Sequence, residues 1–202
     1  MFPIVNCGLP FFADYSLSHP SHCMNHLPYL QLSVAEDERE NEVITLHRPE
    51  TQHAAAFGKV AIFHANLDYA LRLMVKSLCN LELKEALRAT SRQGSHALRE
   101  RVRKLAQQRF GEGEALVKLD AILCEAKLLT EERNDVMHSV LAKTEDGTVV
   151  WIDERPQHRP AATEDQLNTL ADKIWILTHR IHDERLNGWL ARALNKTEKQ
   201  GL

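Results

Sequence analysis

Between Glu112 and His138 the chain places Leu116, Leu119, Ile122, Leu123, Ala126, Leu129, Val136 and Met137 in a three-to-four residue rhythm with no proline. That spacing is one face of an α-helix, and a helix this long must bury its stripe against other elements. The stripe contains a conflict. At roughly 100° per residue, Arg133 falls near its middle, between Leu129 and Met137. A buried guanidinium costs several kcal/mol (on the order of 3–5) when it has no partner. Sequences keep such a conflict at functional sites or in structural ion pairs.

The same rhythm recurs. From Ala54 to Asn80, Phe57, Val60, Ala61, His64, Leu67, Leu71, Met74 and Leu78 hold helical register, and Phe63, Ala70 and Val75 widen the apolar face. A helix apolar around so much of its girth is central, packed on several neighbours or on a dimer mate. Shorter helices are predicted over Leu83–Ala89 and Ser95–Phe110, the latter capped by Ser95 and stopped by Gly111. Thr163 and Gln166 form a capping box that opens a last helix running to about Leu194. Val140-Leu141-Ala142 and Thr148-Val149-Val150-Trp151-Ile152 flank Asp146-Gly147, a strong hairpin signal. Val43–Leu46 reads as a short strand or the approach to the domain, and Asp153–Ala162 as a polar loop. The fold class is mainly α: an up-and-down bundle of four to five helices with a β-hairpin after the helix that carries Arg133.

Residues 1–50 hold five of the seven prolines and little periodicity. They are expected to be irregular or partly disordered, with the helical domain over 51–195 and a frayed tail over 196–202. The fragment His19-Pro-Ser-His22-Cys23-Met-Asn-His26 holds borderline metal ligands, but its spacing matches no standard zinc pattern, so no metal or cofactor is expected. Translation starting at Met24 would remove much of this segment. The acidic run from Glu36 to Glu42 reads as a solvated linker. No run of 18 apolar residues exists, so no transmembrane helix is expected. Cys79 and Cys124 read as small core residues and the compartment as a reducing cytoplasm.

Asn134 and His138 are four apart and share a helix face, where the amide can hold one imidazole nitrogen and fix its tautomer. Arg133 and His138 are five apart, roughly 140° around the axis. Together they supply a permanent anion binder and a proton carrier, a pair suited to phosphodiester chemistry. The structural alternative pairs Arg133 with a carboxylate such as Asp68, with Asn66 as another candidate, and leaves His138 as a residue favoured by the C-terminal dipole. His64, inside an apolar stripe, reads as a satisfied core histidine.

Arg133, Asn134 and His138, late in a long helix, resemble the motif of the HEPN superfamily of small helical proteins: Arg, a polar residue, variable residues, then His. The resemblance covers roughly Ala54 to Leu194. It implies a homodimer whose two motifs line one RNA cleft and a metal-independent endoribonuclease that leaves a cyclic phosphate. Arg133 would stabilise the scissile phosphate, His138 would move protons and Asn134 would orient His138 or touch the phosphate. It also implies a role in defence or in a toxin–antitoxin pair, with an antitoxin as protein partner. The alternative is a catalytically silent module of the same fold, binding RNA, a nucleotide or a protein.

The net charge of −3 announces no nucleic-acid binder as a whole. The one basic stretch runs from Arg88 through Arg92, Arg99, Arg101, Arg103 and Lys104 to Arg109, opposed only by Glu100. It reads either as a phosphate-backbone track, with Arg88, Arg92, Arg99 and Arg103 as RNA contacts, or as a solvated helix face. Trp175 and Trp189 read as packing or dimer residues.

Overall fold

Two long helices begin, and a third ends, beside one small sheet. The computed structural model describes residues 45–153 and 158–199, all within one compact unit, Glu42–Leu202. The expectations for residues 1–44, including the His19–His26 fragment and Met24, and for the last residues of the tail, lie outside the described residues.

Strand β1 (Thr45–Leu46) leads into helix α1 (Thr51–Cys79), followed by α2 (Leu83–Thr90), α3 (Ser95–Phe110) and α4 (Glu114–Met137). Strands β2 (Val140–Lys143), β3 (Val149–Ile152) and β4 (Arg159–Pro160) precede α5 (Glu164–Leu186) and α6 (Trp189–Lys199). The up-and-down bundle with its hairpin is therefore the observed architecture. Side-chain ties give the helix directions. Lys59 donates to Asn168 and Arg185 to Ser77, so α1 and α5 run parallel. Arg180 pairs with Glu125 and Lys173 with Glu132, so α4 opposes α5. Arg103 pairs with Asp120 while Arg99 reaches Thr130, so α4 also opposes α3.

Local chemistry sets the boundaries. Asn80 closes α1 in the left-handed region (φ 52°), its N–H reaching back to the carbonyls of Lys76 and Ser77, as Asn tolerates more readily than most residues. Glu82 and Glu85 cap α2 reciprocally, and Thr163 and Gln166 do the same for α5. The expected N-cap of α3 shifts by one residue: Gly94 caps it and Ser95 is its first turn. The expected single C-terminal helix is two. The Asn187 N–H bonds the Asp183 carbonyl, and the Glu184 carboxylate accepts from the Trp189 N–H at 2.9 Å, so one acidic side chain caps the new helix.

The sheet is antiparallel, in the order β1-β2-β3-β4. The hairpin register pairs Val140 with Ile152 and Lys143 with Val149. β1 realises the short strand expected before α1; β4 arises inside the expected loop, its Arg159 and Pro160 pairing with Trp151 and Val150. Trp151 is buried and meets the Phe57 ring edge-on at 5.5 Å, joining sheet to α1.

The core is the inner face of α1 (Leu67, Leu71, Met74) against Leu98, Leu119, Ile174, Leu177, Ile181 and Leu190. Cys124 is a correction: it is exposed, not a core residue. It stands beside Leu123 but one step outside the stripe, on the outer line of Val117 and Leu128. Cys79 is half-buried.

Ile174 is fully buried between α5 and its neighbours. Ile174→Ala is expected to lower unfolding free energy by about 2–5 kcal/mol, with transfer and cavity terms both contributing. Ile176→Ala, two residues on and 64% exposed, is expected to fall within about 0.5 kcal/mol of wild type. Urea unfolding checks both; equal losses would mean that α5 is rotated from its described phase.

Candidate functional site

Helix α4 brings Arg133 and Asn134 to the α1 side of the bundle and leaves His138 at its end. Arg133 is half-buried; its Nη1 donates to the Asn134 Oδ1 at 3.0 Å, and its Nε is buried with no hydrogen-bond partner. His138 is the C-cap: its ring is exposed, and its backbone N–H donates to the Asn134 carbonyl at 3.0 Å. The expected hydrogen bond from the Asn134 amide to the His138 ring is not among those of the described residues; that amide serves Arg133 instead. The roughly 140° between positions five apart keeps Arg133 and His138 on different sides of one helix.

A second cation holds the end of α4. Arg159 Nη2 donates to the Asp135 carbonyl at 2.9 Å and to the Ser139 hydroxyl at 3.0 Å, while its Nε donates to Asp153 at 3.1 Å. A positive charge at a helix C-terminus is favourable. This clamp fixes where the hairpin leaves α4 and so where His138 stands.

Beside Arg133 lies a buried polar cluster. His64, 5% exposed, and Arg99, 8% exposed, both reach the Thr130 hydroxyl, at 3.3 Å from His64 Nε2 and 3.1 Å from Arg99 Nη1. Thr130 Oγ1 itself donates to the Ala126 carbonyl at 2.6 Å. With its one hydrogen so committed, it accepts from both partners, and His64 carries its proton on Nε2. His64 Nδ1 then faces the Asp68 carboxylate, 4.0 Å away. The other Asp68 oxygen, Oδ1, is buried without a hydrogen-bond partner.

Burial lowers the His64 pKa first; Asp68 opposes that, and Arg133 and Arg99 reinforce it. His64 is therefore the core histidine expected, held neutral. Burial also lowers the Arg99 pKa, against Asp68, Glu131 and Glu100, and arginine remains a cation at neutral pH. Asp68 thus answers both His64 and Arg99, while Arg133 acts on His64 from beside them. The structural alternative of Asp68 closing directly over Arg133 is not realised as an ion pair among the described residues.

The basic stretch does not form one track. Arg88 and Arg92 are exposed, Arg103 pairs with Asp120 at 3.0 Å, Arg101 donates to the Ala89 carbonyl, and Arg99 points inward. Arg99 and Thr130 were missed as members of the internal cluster. The signal for Arg99 was present: it sits in register with the buried Leu98, Val102 and Ala106, the same conflict that marks Arg133.

A cavity of ≈ 290 Å³ opens elsewhere, lined by His47, Glu50, His53, Leu141, Val149 and Thr163 among others. Arg133, Asn134 and His138 do not line it. Among the described residues no group of three or more His, Cys, Asp or Glu side chains is arranged to hold a metal ion, and no helix is long and apolar enough to cross a membrane.

No protein-family model, curated protein or solved structure matches the chain.

The His64 linkage gives a signed expectation. Its folded pKa lies below the ordinary 6.5, so the unfolded chain binds the extra proton first. The contribution to stability is complete above pH 6.5 and is lost as pH falls toward the folded value. His64→Gln is expected to flatten this acid-side decline in melting temperature. An unchanged slope in the variant would show that other groups set it. Thr130→Val, which strands both donors, is expected to cost about 1–3 kcal/mol.

Proposed function

We propose that this protein is a metal-independent endoribonuclease of the HEPN kind, working as a homodimer. The observation that carries the proposal is the state of Arg133. It is half-buried in an apolar register, with one N–H on Asn134 and Nε unpaired, one turn before an exposed His138. A guanidinium in that state is prepared for an anion, since its desolvation is already incurred and it cannot lose its charge.

The 2′-hydroxyl of the substrate RNA would attack the adjacent phosphate. Arg133 would stabilise the charge gathering on the phosphoryl oxygens, and Asn134 would fix the guanidinium. His138 would take or return the proton, with its counterpart in the second copy in the other role. The separation of Arg133 from His138 on one helix is the reason two copies are needed. Such an enzyme fits a cytoplasmic defence or toxin–antitoxin role, with a protein antitoxin as partner. Arg88 and Arg92, the exposed members of the basic stretch, would meet RNA outside the cleft. A silent RNA- or protein-binding module is the second reading; it is favoured by the absence of an Asn134–His138 side-chain bond among the described residues.

The test is cleavage of RNA by the purified chain in EDTA. Products should end in a 2′,3′-cyclic phosphate, and a 2′-deoxy linkage should resist. His138→Ala is expected to slow cleavage by roughly 10²–10⁴ and Arg133→Ala by roughly 10²–10³. Arg133→Lys should restore only part of the rate, because the planar fork is lost. If folded His138→Ala and Arg133→Ala cut as fast as wild type, the nuclease proposal is wrong.

A further inference from the structure

Arg185, in the last turn of α5, carries a charge that nothing in the bundle answers. The residue is half-buried, and its Nε is buried without a hydrogen-bond partner. Its Nη1 donates to the Ser77 hydroxyl of α1 at 3.4 Å, and its Nη2 stands 3.4 Å from His182 Nδ1. Both contacts are long for hydrogen bonds, and neither partner is an anion. Burial lowers the Arg185 pKa, and the group that opposes this is Tyr69 rather than a carboxylate. Among the described residues no aspartate or glutamate pairs with it. Glu184, its neighbour in sequence, is committed to the Trp189 N–H. Asp183 is two residues back, roughly 200° around the helix.

Other arginines of the bundle show the contrast. The Nε and Nη2 of a guanidinium form one edge, whose two parallel N–H groups match a pair of oxygens on a carboxylate or phosphate. Arg103 gives that edge to Asp120 at 3.0 and 3.3 Å, and Arg159 gives it to Asp153 at 3.1 and 3.0 Å. Arg99 has Asp68, Glu131 and Glu100 around it, and Arg72 donates to the Thr90 and Gln93 carbonyls. On Arg185 the same edge meets no oxygen. A cation in the last turn of a helix also suits the macrodipole. Arg185, however, donates to no helix carbonyl among the described residues; it reaches across to α1 instead. Lys76, one residue before Ser77, is a second cation without an ion pair among the described residues, and α1 has no acidic residue after Asp68.

We infer that Arg185 is the centre of a phosphate-binding site between α1 and α5, in which its Nε–Nη2 edge takes two oxygens of the phosphate and Ser77, Tyr69 and His182 complete the shell. Ser77 Oγ accepts from Arg185 and so keeps its own hydrogen to give. His182 is exposed and Tyr69 43% exposed, so the anion enters from solvent beside Nη2. Nε, behind it, is the donor left without an acceptor until the anion arrives. A phosphate fits better than a carboxylate because the donors come from several side chains on two helices. A tetrahedral group with three or more free or bridging oxygens can meet them, whereas a carboxylate is used up by the guanidinium edge. The phosphate belongs to an RNA backbone or to a free phosphorylated molecule. The RNA source rests on the nuclease proposal; the anion site rests on Arg185 alone.

The Arg185 Nε–H signal in proton–nitrogen correlation spectra of the full chain tests it, assigned by its loss in Arg185→Lys. Inorganic phosphate is expected to shift this signal saturably, while chloride at equal ionic strength leaves it in place. By calorimetry, Arg185→Gln should weaken phosphate binding roughly tenfold or more and Ser77→Ala roughly threefold or more, with helical circular dichroism unchanged. Arg88→Gln, an exposed arginine on α2, should bind phosphate as wild type does. If Arg185→Gln does not fold, the wild-type titration still decides. A single-stranded 2′-O-methyl RNA, which lacks the attacking hydroxyl, separates the sources. A shift at far lower concentration than with inorganic phosphate assigns the site to an RNA backbone; a shift with inorganic phosphate and none with this RNA assigns it to a free phosphorylated molecule. An Nε–H signal that responds to neither, or equally to chloride, would overturn the inference, as would phosphate binding untouched in folded Arg185→Gln. A chain that binds phosphate at Arg185 but cuts no RNA would sink the nuclease proposal and leave this one standing.

Discussion

The hydroxyl of Thr130 joins three helices. It takes hydrogen bonds from His64 on α1 and Arg99 on α3 while giving its own to the Ala126 carbonyl of α4. Apolar burial drives these helices together but is non-directional, and leucines accept neighbouring registers at modest cost. A buried polar group does not, since each donor left unpaired costs about 1–3 kcal/mol. The cluster therefore selects one register of α1, α3 and α4 from those the apolar stripes would permit. That register places Arg133 beside His64.

The sheet imposes a second constraint just beyond Thr130, at the C-terminal end of α4. Arg159 holds the Asp135 carbonyl, Ser139 and Asp153 together, so the chain leaves α4 at a fixed angle. His138 stands outside this clamp, in solvent, while Arg133 is half-buried beside His64. The two residues that the sequence reads as one motif are thus held by different parts of the fold. On one helix their side chains leave the axis roughly 140° apart.

The internal charge balance bears on the same point. Arg99 is nine-tenths buried, His64 is neutral, and Asp68 opposes the effect of burial on both. Glu131 and Glu100 lie close enough to influence Arg99 from the surface. Three carboxylates thus answer the buried Arg99 guanidinium.

The helices, their approximate ends and the hairpin were legible because they are local. Leucines at three-to-four spacing, the Thr163–Gln166 box and Asp146-Gly147 each act over a few residues, and the observed elements follow them. Arg133 was legible as a conflict for the same reason. Its neighbours were not: Thr130, Arg99 and His64 lie 31 and 66 residues apart in sequence across their hydrogen bonds, and nothing local says which stripe will face which. Arg99 carried the same local signal as Arg133 but was grouped with its basic neighbours, and only packing turned it inward. Cys124 erred the other way, since one step around a helix separates core from solvent. The sequence alone determined the period of each helix and the identity of the misplaced cation. The tertiary structure decided which groups share its environment, because hydrogen bonds between distant helices exist only once apolar burial has fixed the register.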